Sequence, residues 1–176
     1  MPLVKEQESI NFRNAVSSCA EVCRMEGRMM PEIKPDKYRV SVTLVSHQDG
    51  QQHVLNVTGE VITKGSQLYI RYEEAEQGPQ GEDSSVRTTI KIAGSELKLI
   101  RHGAVQSEQT FQLGHRLPGY YRSAYTQFNL STETRKLEIV RDGRSLTVAW
   151  DYDLYVYEEL SGQFAISLHI QEEIKL

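Results

Sequence analysis

Long apolar runs are missing from this chain of 176 residues. Nothing in it approaches the ~20 apolar residues of a membrane-spanning helix, and the N-terminus lacks the apolar centre of a signal peptide. Basic clusters are missing too: 20 Lys and Arg stand against 24 Asp and Glu, for a formal net charge of −4. A protein that neutralises a run of nucleic-acid phosphates needs a basic face, so that class of partner is not expected. Cysteine is scarce. Cys19 and Cys23 are the two present, at a spacing that would stack them on one side of a helix, and no CxxC or second pair completes a zinc site. Reduced thiols in the cytoplasm are the plain reading. Also absent are a serine elbow, a phosphate-cradling Gly loop and a metalloprotease helix. No enzyme class is indicated, and no cofactor or metal is implied.

What remains is alternation. From Tyr38 onward apolar residues recur at every second position, the period of a half-buried strand. Val40, Val42 and Leu44 share a face; Leu55, Val57, Gly59 and Val61 follow; then come Leu68, Ile70 and Tyr72. Thr88, Ile90 and Ile92 are followed by Leu97, Leu99 and Arg101, then by Val105, Ser107, Gln109, Phe111 and Leu113. Later runs carry Leu146, Val148, Trp150, Tyr152, Leu154 and Val156, then Phe164, Ile166, Leu168 and Ile170. Asp49-Gly50, Lys64-Gly65-Ser66, Asp142-Gly143 and Ser161-Gly162 punctuate them with tight turns. Gln77 to Ser85 reads as a polar Gly/Pro loop, and Leu113 to Tyr125 as a Pro/Gly break with a Tyr-rich return.

Short turns imply antiparallel neighbours in sequence order, and a long twisted meander closes on itself to lose its edges. The expected fold is therefore all-β: one antiparallel up-and-down barrel of about eight to ten strands over residues 37–176. Residues 1–36 stand apart. Ile10, Ala15, Val16, Cys19 and Val22 suggest a weak helix before Gly27, and Pro31 and Pro35 break it. This extension is read as weakly helical or mobile, with translation starts at Met25, Met29 or Met30 as an alternative.

The block Ile100-Arg101-His102-Gly103, followed by Phe111, Gly114, Tyr121 and Thr126, resembles the YwiB-like family of bacterial proteins. Gly59, the strand Leu68 to Glu74 and Thr88-Thr89-Ile90-Lys91 are similar as well, so the resemblance runs roughly from Tyr38 to Glu172. The chain departs from it at Ser123-Ala124-Tyr125-Thr126, where a Thr-Pro-Tyr-Gly-like turn is expected. The resemblance implies a calycin-like, lipocalin-type barrel with no established activity and no catalytic residues to carry over.

Polar residues in the inward register are the informative ones. Arg101 shares parity with Leu99, Tyr72 and Glu74 with Ile70, Ser107 and Gln109 with Phe111, and Tyr152 with Trp150. An inward Arg can receive an anionic head group through its planar fork; the competing reading pairs it with Glu74, since buried charges are seldom left alone. His115, Arg116, Tyr120 and Tyr121 cluster around Pro118-Gly119 and would line the entrance or cap that end. His102 falls outward at a turn. His47 and His53 flank Asp49-Gly50 and are read as surface residues.

Three functions follow from this. The first is a non-enzymatic barrel that binds a small, partly apolar, possibly anionic ligand through Arg101, Tyr72, Glu74, Gln109, Ser107, Tyr152, His115, Arg116 and Tyr121. The second is an interaction module or homodimer with a filled barrel, presenting Tyr155 and Tyr157. The third is an enzyme using Glu74 and His115.

Overall fold

A computed structural model describes residues 36–77, 81 and 83–175. The N-terminal extension and its two cysteines lie outside the described residues. Ten strands follow one another: β1 (Asp36–Gln48), β2 (Gln51–Lys64), β3 (Gln67–Gln77), β4 (Asp83–Ala93), β5 (Glu96–Gly103), β6 (Gln106–Gln112), β7 (Arg116–Arg122), β8 (Gln127–Asp142), β9 (Ser145–Val156) and β10 (Glu159–Glu172). Every strand pairs antiparallel with its neighbours in sequence, and β1 pairs with β10, so the meander closes into a barrel. No helix occurs among the described residues, and none is long and apolar enough to cross a membrane.

The alternation sets the inside. Val40, Val42, Ile70, Ile90, Leu97, Phe111, Val148, Trp150, Leu168 and Ile170 are almost wholly buried. Phe111 packs on Trp150 and Tyr152 with ring centroids 5.9 and 4.7 Å away, and Tyr152 stacks on Phe164 at 5.1 Å. These rings plug the middle of the barrel; tilted and offset contacts of this kind add to simple area burial.

Two segments differ from the expectation. Asp83, Ser84 and Ser85 belong to β4 and pair with β3, so the expected Gln77–Ser85 loop is shorter. The Leu113–Tyr125 stretch contains a strand, β7, with Pro118 inside it. Proline fits because β6 pairs only with Tyr120, Tyr121 and Arg122, so no ladder partner waits for a Pro118 N–H on that side. Gly119 follows because a Cβ there would collide with the Glu108 carbonyl. Leu113 sits exposed in the turn before β7 instead of continuing the inward face of β6.

The barrel wall also has a seam. β2 pairs with β3 only over Gly59–Lys64 and Gln67–Tyr72. Beyond that point Gln51–Thr58 pairs with β1 and Glu73–Gln77 with β4. Gly59 sits where the two strands part; a Cβ on it would press against the Arg71 carbonyl and against Val42.

Candidate functional site

The seam flanks an interior pocket of about 220 Å³. From β2 come His53 and Leu55, from β3 Tyr72 and Glu74, from β4 and β5 Thr88, Leu99 and Arg101. Leu44 and Ser46 of β1, Trp150 and Tyr152 of β9 and Ile166 of β10 complete the wall. A concave, mainly apolar wall with a few polar groups is the usual form of a small-molecule site.

Arg101 is the centre of its polar side. Its Nη2 donates to Glu74 Oε2 at 3.2 Å and to Glu76 Oε1 at 3.3 Å. The Arg101 and Glu74 side chains retain 25% and 20% of their exposure. Arg101 thus lies on the pocket wall and is paired with Glu74, as the competing sequence reading had it. Two carboxylates on one guanidinium leave a local excess of negative charge, which disfavours an anion beside them. Burial pushes the Tyr72 phenol well above its ordinary range, and the nearby Glu74 carboxylate adds to the rise. Burial alone does the same for Tyr152. Both stay protonated and can donate hydrogen bonds.

One wall residue, Trp150, is 1% exposed and holds a buried polar atom, Nε1, without a protein partner; the Thr88 hydroxyl lies beside the Tyr72 phenol and hydrogen-bonds to it. An unmet buried donor costs about 1–3 kcal/mol, so such atoms are uncommon and need a reason.

The remaining expected residues fall elsewhere. Ser107 is buried opposite Arg101, and Gln109 is half-buried opposite Leu99, both beside the pocket and outside its wall. Tyr121 stacks on Phe128 at 5.1 Å, next to Ser107 in the sheet. Arg116 lies on the outer face, bonded to Ser131 at 2.9 Å and Glu158 at 3.2 Å, with its guanidinium 3.7 Å over the Tyr155 ring. Tyr155 is therefore half-covered, while Tyr157 is 73% exposed in the β9–β10 turn. His115 is exposed in the β6–β7 turn, where Nδ1 meets the Leu113 carbonyl at 3.0 Å. Hairpin connections alternate between the two ends of a meander, so this turn and the β3–β4 connection beside Glu74 leave the barrel at opposite ends. Glu74 and His115 do not form one site.

Reasoning from sequence missed Ser46, His53, Thr88 and Trp150 as wall residues. Each shares parity with an inward neighbour (Leu44, Leu55, Ile90 and Val148), and that was the available signal. A larger depression of about 710 Å³ lies beside Gly59, lined by Lys37, Arg39, Glu60, Arg71, Glu73 and Arg87 among others. Several of its charges are matched on the surface, Lys37 with Glu60 at 2.7 Å and Arg87 with Glu73 at 3.2 Å. Such exposed pairs contribute little, and nothing there converges on a ligand. Among the described residues no three His, Cys, Asp or Glu side chains gather to hold a metal.

A closed ten-stranded antiparallel meander, packed with aromatic rings and bearing a pocket beside a split seam, defines a β-barrel protein of single-sheet type. Residues 38–168 match the model of a domain of unknown function, DUF1934, and the chain belongs to that family. It is 28% identical over 121 residues, 67% of this chain and 81% of the other, to the uncharacterized beta-barrel protein YwiB of Bacillus subtilis (strain 168). The crystal structure of the ywiB protein from Bacillus subtilis superposes with a TM-score of 0.65 at 20% identity, covering 83% of this chain and all of that one. The resemblance to YwiB-like proteins and the barrel fold are thereby established.

Proposed function

We propose that this protein binds a small, mostly apolar molecule in the pocket between Leu55, Leu99, Tyr72 and Arg101 and performs no chemistry on it. A lipocalin-type use of the barrel interior is part of this reading. The observation that carries it is the composition of the wall: four aliphatic side chains, Leu44, Leu55, Leu99 and Ile166, face inward beside Arg101, Tyr72 and Tyr152. A barrel wanted only for stability would fill that space, since empty apolar volume costs packing energy. The sequence expectation of an anionic head group is not carried forward, because Glu74 and Glu76 already hold Arg101. Outward positions such as Arg39, Arg71, Lys91 and Lys98 are charged, unlike the apolar outer band of a membrane barrel. We place the barrel in water, in the cytoplasm.

Native mass spectrometry of the full chain, purified without denaturation, tests the reading. A bound small molecule should accompany the protein and be absent from Leu99→Trp, whose indole occupies the pocket. An unliganded protein, with no thermal stabilisation from a library of small apolar compounds, overturns it.

A second reading rests on a different feature. Among the described residues, no strand covers the outer edge of Gln51–Thr58. That edge, Gln-Gln-His-Val-Leu-Asn-Val-Thr, carries neither Asp, Glu, Lys, Arg nor Pro, the usual guards against edge pairing. A second copy could pair there antiparallel and give a homodimer. Light scattering should then show a dimer that Val54→Lys and Asn56→Lys convert to a monomer; a monomer at all concentrations rules this reading out.

A further inference from the structure

We infer that the pocket takes an organic cation, an apolar body carrying a protonated amine, an inference that rests on the ligand-binding reading above. Charge, open acceptors and an unpartnered phenol point the same way.

Glu74 on the wall and Glu76 beside it share Arg101 through a single nitrogen, at 3.2 and 3.3 Å. Among the described wall residues no lysine and no second arginine joins Arg101, and His53 is the other basic side chain. One negative charge is therefore left uncompensated. The three side chains keep between 20% and 38% of their exposure, so solvent screens the field in part. An ammonium is attracted to it, a hydroxyl is nearly indifferent, and a carboxylate is repelled.

The carboxylates also have acceptor capacity to spare. Arg101 reaches Glu74 Oε2 and Glu76 Oε1, and each carboxylate offers about four lone-pair positions. Both bonds leave from Nη2, so neither is the two-pronged contact that a guanidinium and a carboxylate can make. A second donor can bond to the same acids without displacing the first.

The phenol is that of Tyr152, which is 7% exposed. Burial alone acts on it, and no described side chain hydrogen-bonds to it. Its oxygen is not sealed into the packing as Trp150 Nε1 is, and the residue lines the pocket. A buried hydroxyl without a partner calls for a polar ligand atom, and its oxygen can accept from an ammonium. Tyr152 thus marks where that atom is due, and the carboxylates set its charge. The aliphatic wall, Leu44, Leu55, Leu99 and Ile166, receives the body.

Phenethylamine, phenethyl alcohol and phenylacetate share a skeleton and differ in charge, so they separate the cases. Trp150 is the sole tryptophan of the chain and sits in the wall, so its emission reports occupancy of the full-length protein. At about pH 8 the amine is protonated. It should change the emission saturably and bind roughly tenfold more tightly than the alcohol, with phenylacetate weakest. Glu74→Gln and Glu76→Gln should each weaken the amine several-fold and leave the alcohol unchanged; Tyr152→Phe should also weaken the amine. Arg101→Gln, which leaves both carboxylates uncompensated, should tighten the amine, a gain that partial unfolding cannot produce. The alcohol or phenylacetate binding as tightly as the amine overturns the cation and leaves the binding function intact. Saturable change from none of the three also overturns the cation, and native mass spectrometry then decides the binding function separately; a co-purifying molecule without a basic nitrogen has the same two consequences as the first outcome.

Discussion

Arg101 and Glu74 meet at 3.2 Å on the wall of the barrel, although 27 residues separate them in the chain. They come from β5 and β3, with β4 between them, and Glu76 closes the group from the same strand as Glu74. Removing Arg101 leaves two half-buried carboxylates facing each other. Arg101→Ala should lower stability by about 1–2 kcal/mol, between the values typical of exposed and buried pairs. Glu74→Gln, which keeps a hydrogen-bond acceptor for Arg101, should cost less than half as much. Urea unfolding of the two variants checks the order.

Phe111 is the hub of the aromatic plug, fully buried against Trp150 and Tyr152. Phe111→Ala should cost about 3–5 kcal/mol, through lost burial and the cavity left behind. Leu113, two residues on and 55% exposed, should cost about 0.5 kcal/mol or less on the same change. Thermal unfolding of the pair measures the contrast.

The raised phenol pKa values of Tyr72 and Tyr152 set a sign for alkaline stability. In the unfolded chain each ionises near the ordinary value of about 10, while in the barrel each keeps its proton to higher pH. Above that value the folded state binds more protons, so stability falls as pH rises, by about 1.4 kcal/mol per pH unit per tyrosine. Below it neither contributes a slope. Tyr152→Phe should therefore make the decline between about pH 10 and 11 shallower, as read by denaturant titration at stepped pH.

Gly119 has no room for a methyl group because the Glu108 carbonyl and the Leu130 side chain close over it. Gly119→Ala should destabilise by about 1–3 kcal/mol, the range for overpacking. Gly143, in the β8–β9 turn, has open space around the same position and a φ of +59°. Gly143→Ala should cost about 1 kcal/mol through backbone strain alone. Differential scanning calorimetry distinguishes the two losses.

The inward faces of β1, β3, β4 and β9 were legible because alternation is a local property. Val40 and Val42, Leu68 and Ile70, Ile90 and Ile92, and Val148 and Trp150 are all core residues. β8 was harder. Its register shifts between Thr134 and Lys136, so the inward residues change from Leu130, Thr132 and Thr134 to Leu137 and Ile139. A bulge of this kind inverts parity without a distinctive residue to announce it. β7 was obscured by Pro118 and Gly119, which suit a strand only where a neighbour has already turned away.

The amino-acid order by itself determined an all-β meander that closes, because period-two burial and tight turns require only neighbours in the chain. It also placed Arg101, Tyr72, Glu74 and Tyr152 on the inner side. Which inward residues share one pocket was decided by the tertiary structure alone, through the tilt of the strands, the bulge in β8 and the parting of β2 from β3 beyond Gly59. Those features set how far each strand is displaced along its neighbour, and that displacement is a property of the closed barrel as a whole. It brings Trp150 and Thr88 to the wall beside Arg101 and leaves His115 and Arg116 on the outside.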